Sequence, residues 1–127
     1  MPQMNHSSKD LTLINKHVDQ LNFDLKRGFL QFVTIHLISQ GPKYAHEIKE
    51  DILNITNGTF NIDRNNLYKK LRQLEKDGFL ESYLKPSSHG ADRKYYAITP
   101  FGRKLHKGMY QLLIPVMSSL HKKLKHT

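Results

Sequence analysis

The sequence contains no cysteine and no tryptophan. It therefore cannot form a disulfide, a thiolate nucleophile or a cysteine-ligated zinc or iron–sulfur centre, which fits a reducing compartment. Long apolar runs are also missing. The longest, residues 28–38, is interrupted by Gln31, Thr34 and His36 and is far shorter than the roughly 18 residues of a membrane span. The first eight residues show neither the basic nor the apolar region of an export signal. We expect a cytoplasmic, nucleoid-associated protein.

Motifs of catalysis and cofactor binding are lacking too. We find no nucleophile elbow, no glycine-rich phosphate loop and no His-Glu-x-x-His motif. The eight histidines are scattered without the spacing of metal ligands. A chain of 127 residues forms one modest domain. We therefore predict a protein that is not an enzyme and that requires no cofactor and no metal.

Acidic residues are scarce in the second half of the chain. Residues 1–60 hold six basic and six acidic side chains, whereas residues 61–127 hold fourteen and five, and no acidic residue follows Asp92. The whole formal charge of +9 therefore lies in the second half. This asymmetry is typical of a surface that meets a polyanion, most often nucleic acid and less often an anionic membrane. The alternative is a basic protein kept in solution by its charge.

Apolar spacing predicts three helices in the first half. The first, about 9–23, has Ser7 or Ser8 as its N-cap and a narrow apolar stripe, so it should pack as an arm on another element or subunit. The second, about 25–39, is apolar nearly all round and should form the centre of the domain. The third, about 43–54, follows a Gly-Pro pair that ends the second helix.

A fourth helix, about 64–77, has two contrasting faces. Asp63 is a suitable N-cap. Leu67, Leu71 and Leu74 share one face at 100° per residue and should be buried. The opposite face carries amide and cationic side chains, namely Asn65, Lys69, Arg72, Gln73 and Lys76. The alternative is an ordinary solvated amphipathic helix.

The remaining residues predict a hairpin and a last helix. Residues 79–84 and 94–98 are rich in aromatic and β-branched side chains and are joined by a segment of turn composition. Thr99 and Pro100 then begin a helix, since a hydroxyl caps its first turn and proline loses no hydrogen bond there. Pro115 should kink or break this helix near its middle.

This order of elements predicts a winged helix-turn-helix fold, mostly α with a two-stranded β-hairpin. We divide the chain into an N-terminal helical arm (1–24), a winged helix-turn-helix DNA-binding domain (25–99) and a C-terminal dimerisation helix (100–127). An α-helix fits the major groove of B-form DNA, and amide and cationic side chains match the donors and acceptors of base edges.

The predicted DNA contacts lie on the fourth helix, where they include Gln73, and on the hairpin. The residues near the start of the helix, which reach base edges in such domains, are Arg64, Asn65, Asn66 and Lys69. The cations better placed to neutralise phosphates are Lys70, Arg72, Lys76, Lys85, Arg93 and Lys94. For the hairpin cations the alternative is a solubilising loop tip.

The apolar stripes of the first and last helices predict a dimer interface, because the small core cannot cover them. Its residues are Leu11, Ile14, Val18, Leu21, Leu105, Met109, Leu112, Leu113, Val116 and Leu120. Two-fold symmetry would place the fourth helices of the two copies, as the recognition helices, about 34–36 Å apart. This predicts a near-palindromic site in double-stranded DNA. A small-molecule effector is left open, and none is named.

Three segments resemble PadR-like transcriptional regulators. They are residues 40–48 (Gln-Gly-Pro-Lys-Tyr-Ala-His-Glu-Ile), residues 66–80, with the pattern of that family's recognition helix, and residues 93–102 (Arg-Lys-Tyr-Tyr-Ala-Ile-Thr-Pro-Phe-Gly), which are similar to its wing. The resemblance spans about residues 26–105. It implies a homodimeric repressor, with Tyr68 and Arg93 as backbone or groove contacts.

The sequence departs from the family pattern near the expected DNA surface. Ala45 and His46 replace a glycine and a tyrosine, and Asn65 and Asn66 replace a Gly-Thr pair. The operator sequence therefore does not carry over. Two alternatives remain: a protein similar to the winged-helix replication terminators of Gram-positive bacteria, and a winged-helix interaction module without salt-sensitive DNA affinity.

Overall fold

The computed structural model describes residues 7–126. The first six residues of the predicted arm and the last residue of the predicted dimerisation helix lie outside this range. The elements are α1 (Ser8–Ser39), β1 (Lys43–Tyr44), α2 (Ala45–Ile55), α3 (Arg64–Lys76), β2 (Leu80–Lys85), β3 (Arg93–Ile98) and α4 (Pro100–Leu124).

The first two predicted helices are one continuous helix, α1. It begins as expected at Ser7, whose hydroxyl accepts the Asp10 N–H at 3.2 Å while the Asp10 carboxylate accepts the Ser7 N–H. The predicted break between residues 23 and 25 is wrong. No glycine or proline stands there, and the Gln20 amide donates to the Asp24 carboxylate across the expected gap at 3.2 Å. A change in the width of an apolar stripe does not end a helix.

The core begins halfway along α1. Residues 8–25 are exposed throughout, whereas Leu30, Val33, Ile35 and Ile38 are buried. The other buried apolar side chains are Leu37, Ala45, Ile48, Ile52, Ile62, Leu67, Leu71, Leu74, Leu80 and Tyr96. Each large side chain of this set stabilises the fold by about 1.5–3 kcal/mol relative to an exposed position. The predicted leucine face of α3 is thus confirmed.

The sheet has three strands rather than the two of the predicted hairpin, in the order β1-β3-β2 with antiparallel pairing. Lys43 and Tyr44, expected at the start of a helix, form β1 and pair with Tyr96 and Tyr95. The helix α2 therefore begins at Ala45, where the Glu47 carboxylate accepts the Tyr44 N–H. Consecutive strand residues face opposite ways. Tyr96 accordingly enters the core and Tyr95 lies on the other face.

The caps of α3 and α4 differ in how they are made. Asp63 occupies the N-cap position of α3 as predicted, but its side chain makes no capping hydrogen bond. Thr99 caps α4 as predicted, because its hydroxyl accepts the Gly102 N–H at 3.0 Å. The helix continues through Pro115, so of the two predicted effects of this proline, a kink or a break, the break does not occur. No helix in the described part of the chain is both long and apolar enough to cross a membrane.

Candidate nucleic-acid interface

The outer side of α3 is an exposed polar surface. Because the three leucines are turned into the core, the rest of the helix faces outward. The predicted contact residues exposed there are Arg64, Asn65, Asn66, Tyr68, Lys69, Arg72, Gln73 and Lys76, and Lys70 is half-buried. The structure thus brings these side chains together on one helix.

The cations of α3 are not neutralised by ion pairs with any side chain of the described residues. Among residues 7–126, ion pairs join Lys43 to Asp51, His46 to Glu50 and Lys94 to Glu75, and none involves an α3 lysine or arginine. Five positive charges on α3 therefore remain available to an external polyanion.

Gln73 is partly engaged inside the protein. Its side-chain amide donates to both carboxylate oxygens of Asp77, each at 3.0 Å. Since the amide hydrogens serve this contact, a base contact through them requires the Asp77 interaction to open. The prediction that Gln73 contacts DNA stays untested.

Lys94 connects α3 to the hairpin of β2 and β3, which we call the wing. Its ammonium lies 3.6 Å from a carboxylate oxygen of Glu75, and the other oxygen of this carboxylate accepts the Ser82 hydroxyl. The same ammonium lies 5.4 Å from the centre of the Tyr96 ring. Burial raises the pKa of the Tyr96 hydroxyl, and the charge of Lys94 partly offsets this rise. A phosphate contact by Lys94 therefore competes with an internal ion pair.

The other wing cations lie on a row of tyrosines across the three strands. The rings of Tyr44 and Tyr95 are 5.3 Å apart, and those of Tyr95 and Tyr83 are 5.8 Å apart. The Arg93 guanidinium lies 4.6 Å from the Tyr44 ring centre, and the Lys85 ammonium lies 5.3 Å from that of Tyr95. Cation–π attraction thus orients both cations.

The tyrosines of this row were not predicted to contact the wing cations. Alternation along β2 could have found Tyr83, because residues 83 and 85 face the same way in a strand. No local signal identifies Tyr44, since its place depends on pairing with β3.

His36 and His106 connect α1 to α4. Their ring nitrogens Nδ1 and Nε2 are 2.8 Å apart, and the Phe32 ring stacks on both imidazoles. Burial, followed by the nearby His36 and Arg103, lowers the pKa of His106. In the described residues no three histidine, aspartate or glutamate side chains form a group that could hold a metal ion.

The predicted dimer residues lie on α1 and α4, and they differ in how far they are exposed. On α1, Leu11, Ile14, Val18 and Leu21 are 45–59% exposed. On α4, Leu112, Val116 and Leu120 are 56–72% exposed and Leu113 is half-buried. Leu105 and Met109 already pack against the core of their own chain. The two helices therefore present apolar side chains that the described chain does not cover.

Helices α1–α3 followed by a small antiparallel sheet define a winged helix-turn-helix protein. The model of the transcriptional regulator PadR-like family matches residues 34–107, more than half of the chain. The chain belongs to this family. Its members are transcriptional regulators and not enzymes, which confirms both the resemblance and the exclusion of an enzyme.

Individual relatives agree with this assignment. An uncharacterized protein X of Lysinibacillus sphaericus is 39% identical over 80 residues, which is 63% of this chain and 73% of that protein. A transcriptional regulator from Clostridium thermocellum is 29% identical, with a TM-score of 0.67 over 78% of this chain and 93% of the other. PadR of Bacillus subtilis, solved in complex with operator DNA, shares the fold. Its TM-score is 0.57 at 16% identity, over 62% of this chain and 45% of that one.

Proposed function

We propose that the protein is a homodimeric transcriptional repressor that binds a near-palindromic site in double-stranded DNA. In this proposal α3 enters the major groove, and the β2–β3 wing lies on the adjacent backbone or minor groove. The protein would then act on the nucleoid. The observation that carries the proposal is the exposed face of α3, with amides in its first turn and four exposed cations, Arg64, Lys69, Arg72 and Lys76, that form no ion pair within residues 7–126.

The amides and the cations of α3 have different roles in this complex. Asn65 and Asn66 are exposed in the first turn, from which helix-turn-helix proteins reach base edges. An asparagine side chain can bind adenine with two hydrogen bonds, so these residues would contribute to sequence specificity. Arg72 and Lys76 would bind phosphates, which provides affinity without sequence preference. Lys69, which its place near the helix start assigns to the residues that reach base edges, is here proposed to bind a phosphate as well.

The apolar stripes of α1 and α4 support the homodimer. Patches of exposed apolar side chains on adjoining elements mark association surfaces. Here the stripes lie on the exposed half of α1 and on α4. A two-fold axis between two copies would set the recognition helices about 34–36 Å apart, one turn of DNA.

Selection from genomic DNA tests the proposed function. Sheared DNA of the source genome is incubated with the purified protein at about physiological salt, where non-specific affinity is weak, and the retained fragments are sequenced. Near-palindromic promoter sites are expected, and these sites should lower transcription from a reporter. Enrichment at the replication terminus would favour a terminator function. If no fragment is enriched, the proposal is wrong.

Replacing Lys69 by alanine tests the role of α3. The side chain is exposed and has no ion pair in the described structure, so the variant should fold normally and bind both specific and random DNA more weakly. The slope of log affinity against log salt should become shallower by about 0.9 for one lost phosphate contact. Lys107→Ala on α4 is the matched control, because it removes an equally exposed charge opposite the apolar stripe. Unchanged affinity of the Lys69 variant would exclude this contact.

A further inference from the structure

A cleft of about 540 Å³ lies between α1 and α3. Among the side chains that line it, Leu30 and Ile62 are buried. The cations that line it are Lys26 and Arg27 from α1 and Lys69 and Lys70 from α3. The cleft is thus an apolar depression with a basic rim.

The rim is strongly unbalanced in charge. Asp63, which is exposed, is the acidic residue among the lining residues, against four cations. None of these cations forms an ion pair within residues 7–126, and Arg27 lies 5.7 Å from the centre of the Phe23 ring. Like charges that share a cleft repel one another, so an anion placed between them is favoured.

The cleft borders the proposed DNA-binding face of α3. At 100° per residue, Asn66, Lys70 and Gln73 fall on one flank of the helix and line the cleft. Glu75, on the other flank, contacts Ser82 and Lys94 of the wing sheet. The exposed face, with Lys69 and Arg72 between these flanks, is therefore bordered by the basic cleft on one side and by the wing sheet on the other.

From this placement we propose that the cleft binds phosphates of the DNA backbone, with Lys26 and Arg27 as contact residues on α1. The proposal rests on the proposed function. A helix in the major groove has a phosphate backbone on each side of it. The wing would meet one backbone and the cleft the other, so contacts on both sides would hold α3 in its groove.

The double variant Lys26→Ala/Arg27→Ala tests this inference in the full-length protein. Affinity for a 30-base-pair duplex with a selected site and for a random duplex is measured over a salt series from about 50 to 200 mM. We expect equal weakening on both duplexes and a salt slope shallower by about 1.8, since two phosphate contacts are lost. Lys104→Ala/Lys107→Ala removes the same charge from α4 and should leave the slope unchanged.

Two further measurements distinguish the loss of a phosphate contact from a folding defect in the double variant. The single variant Arg27→Ala removes an exposed side chain and should make the salt slope shallower by about 0.9. Arg27→Lys keeps the charge and should leave the salt slope unchanged. Phosphate ethylation should interfere with wild-type binding on both sides of the groove, and the double variant should lose the interference on one side. An unchanged slope and interference pattern would overturn the cleft contact and leave the proposed function standing. Failure of the wild-type protein to bind either duplex would overturn both.

Discussion

Replacement of Gly102 by alanine should destabilise the protein, although alanine is the better helix former. Gly102 is buried in the first turn of α4. A Cβ atom there would overlap the carbonyl oxygen of Phe79 and lie 2.8 Å from Cγ1 of Ile98. That carbonyl oxygen also accepts the Thr99 N–H at 3.1 Å. Because the obstacle is backbone, side-chain rotation cannot relieve it, and moving α4 away would weaken the hydrogen bonds of its N-cap.

The expected loss of unfolding free energy is the difference between two opposing contributions. Overpacking costs about 1–3 kcal/mol, and a clash with backbone belongs at the upper end of this range. Alanine regains about 1 kcal/mol of helix propensity, which leaves a net loss of about 2 kcal/mol. With an unfolding entropy of about 2.1 cal/mol/K per residue, Tm should fall by about 7 °C.

Gly108→Ala on the same helix is the matched control. A Cβ atom at Gly108 meets nothing within 4 Å, so this variant should gain about 1 kcal/mol and melt about 4 °C higher. Both variants are melted at one protein concentration, because association shifts Tm. A Gly102→Ala protein that melts at or above the wild-type temperature would refute the close approach of α4 to Phe79.

Three further changes have defined outcomes. Thr34→Val should raise the free energy of unfolding by about 1 kcal/mol, because the Thr34 hydroxyl is buried without a partner in the described residues. Urea unfolding should show this as a higher midpoint with the same m value, and a lower midpoint would contradict it. Burial and His36 lower the pKa of His106 below its value in the unfolded chain. The unfolded state therefore binds more protons, and stability should fall as pH decreases from about 6.5 towards the folded pKa and stay level above that window. In thermal melts, His106→Gln should reduce this loss of stability at lower pH. A variant with the same pH profile as the wild type would show that His106 is not its cause. Tyr44→Leu should weaken DNA binding and Tyr44→Phe should not, since only a ring attracts Arg93. In an Arg93→Ala background, Tyr44→Leu should weaken DNA binding no further. A further loss of affinity there would show that the Tyr44 ring does not act through Arg93.

Local regularities in the sequence determined most of the elements. The spacing of Leu67, Leu71 and Leu74 predicted a buried helix face, and Thr99 with Pro100 located the start of α4. These signals can be read from the sequence because caps and apolar faces depend on residues three or four positions apart. The charge asymmetry and the motif at 93–102 likewise indicated the functional class from the sequence alone.

Features that depend on distant residues were decided by the tertiary structure alone. The two-residue strand at Lys43 forms because it pairs with a strand about fifty residues later in the chain, so local propensity could not predict it. The ion pair of Lys94 with Glu75 and the cleft that joins Lys26 to α3 likewise bring together side chains from separate elements. The sequence therefore determined which side chains could bind a polyanion, and packing decided which cations are paired internally and which face a common surface.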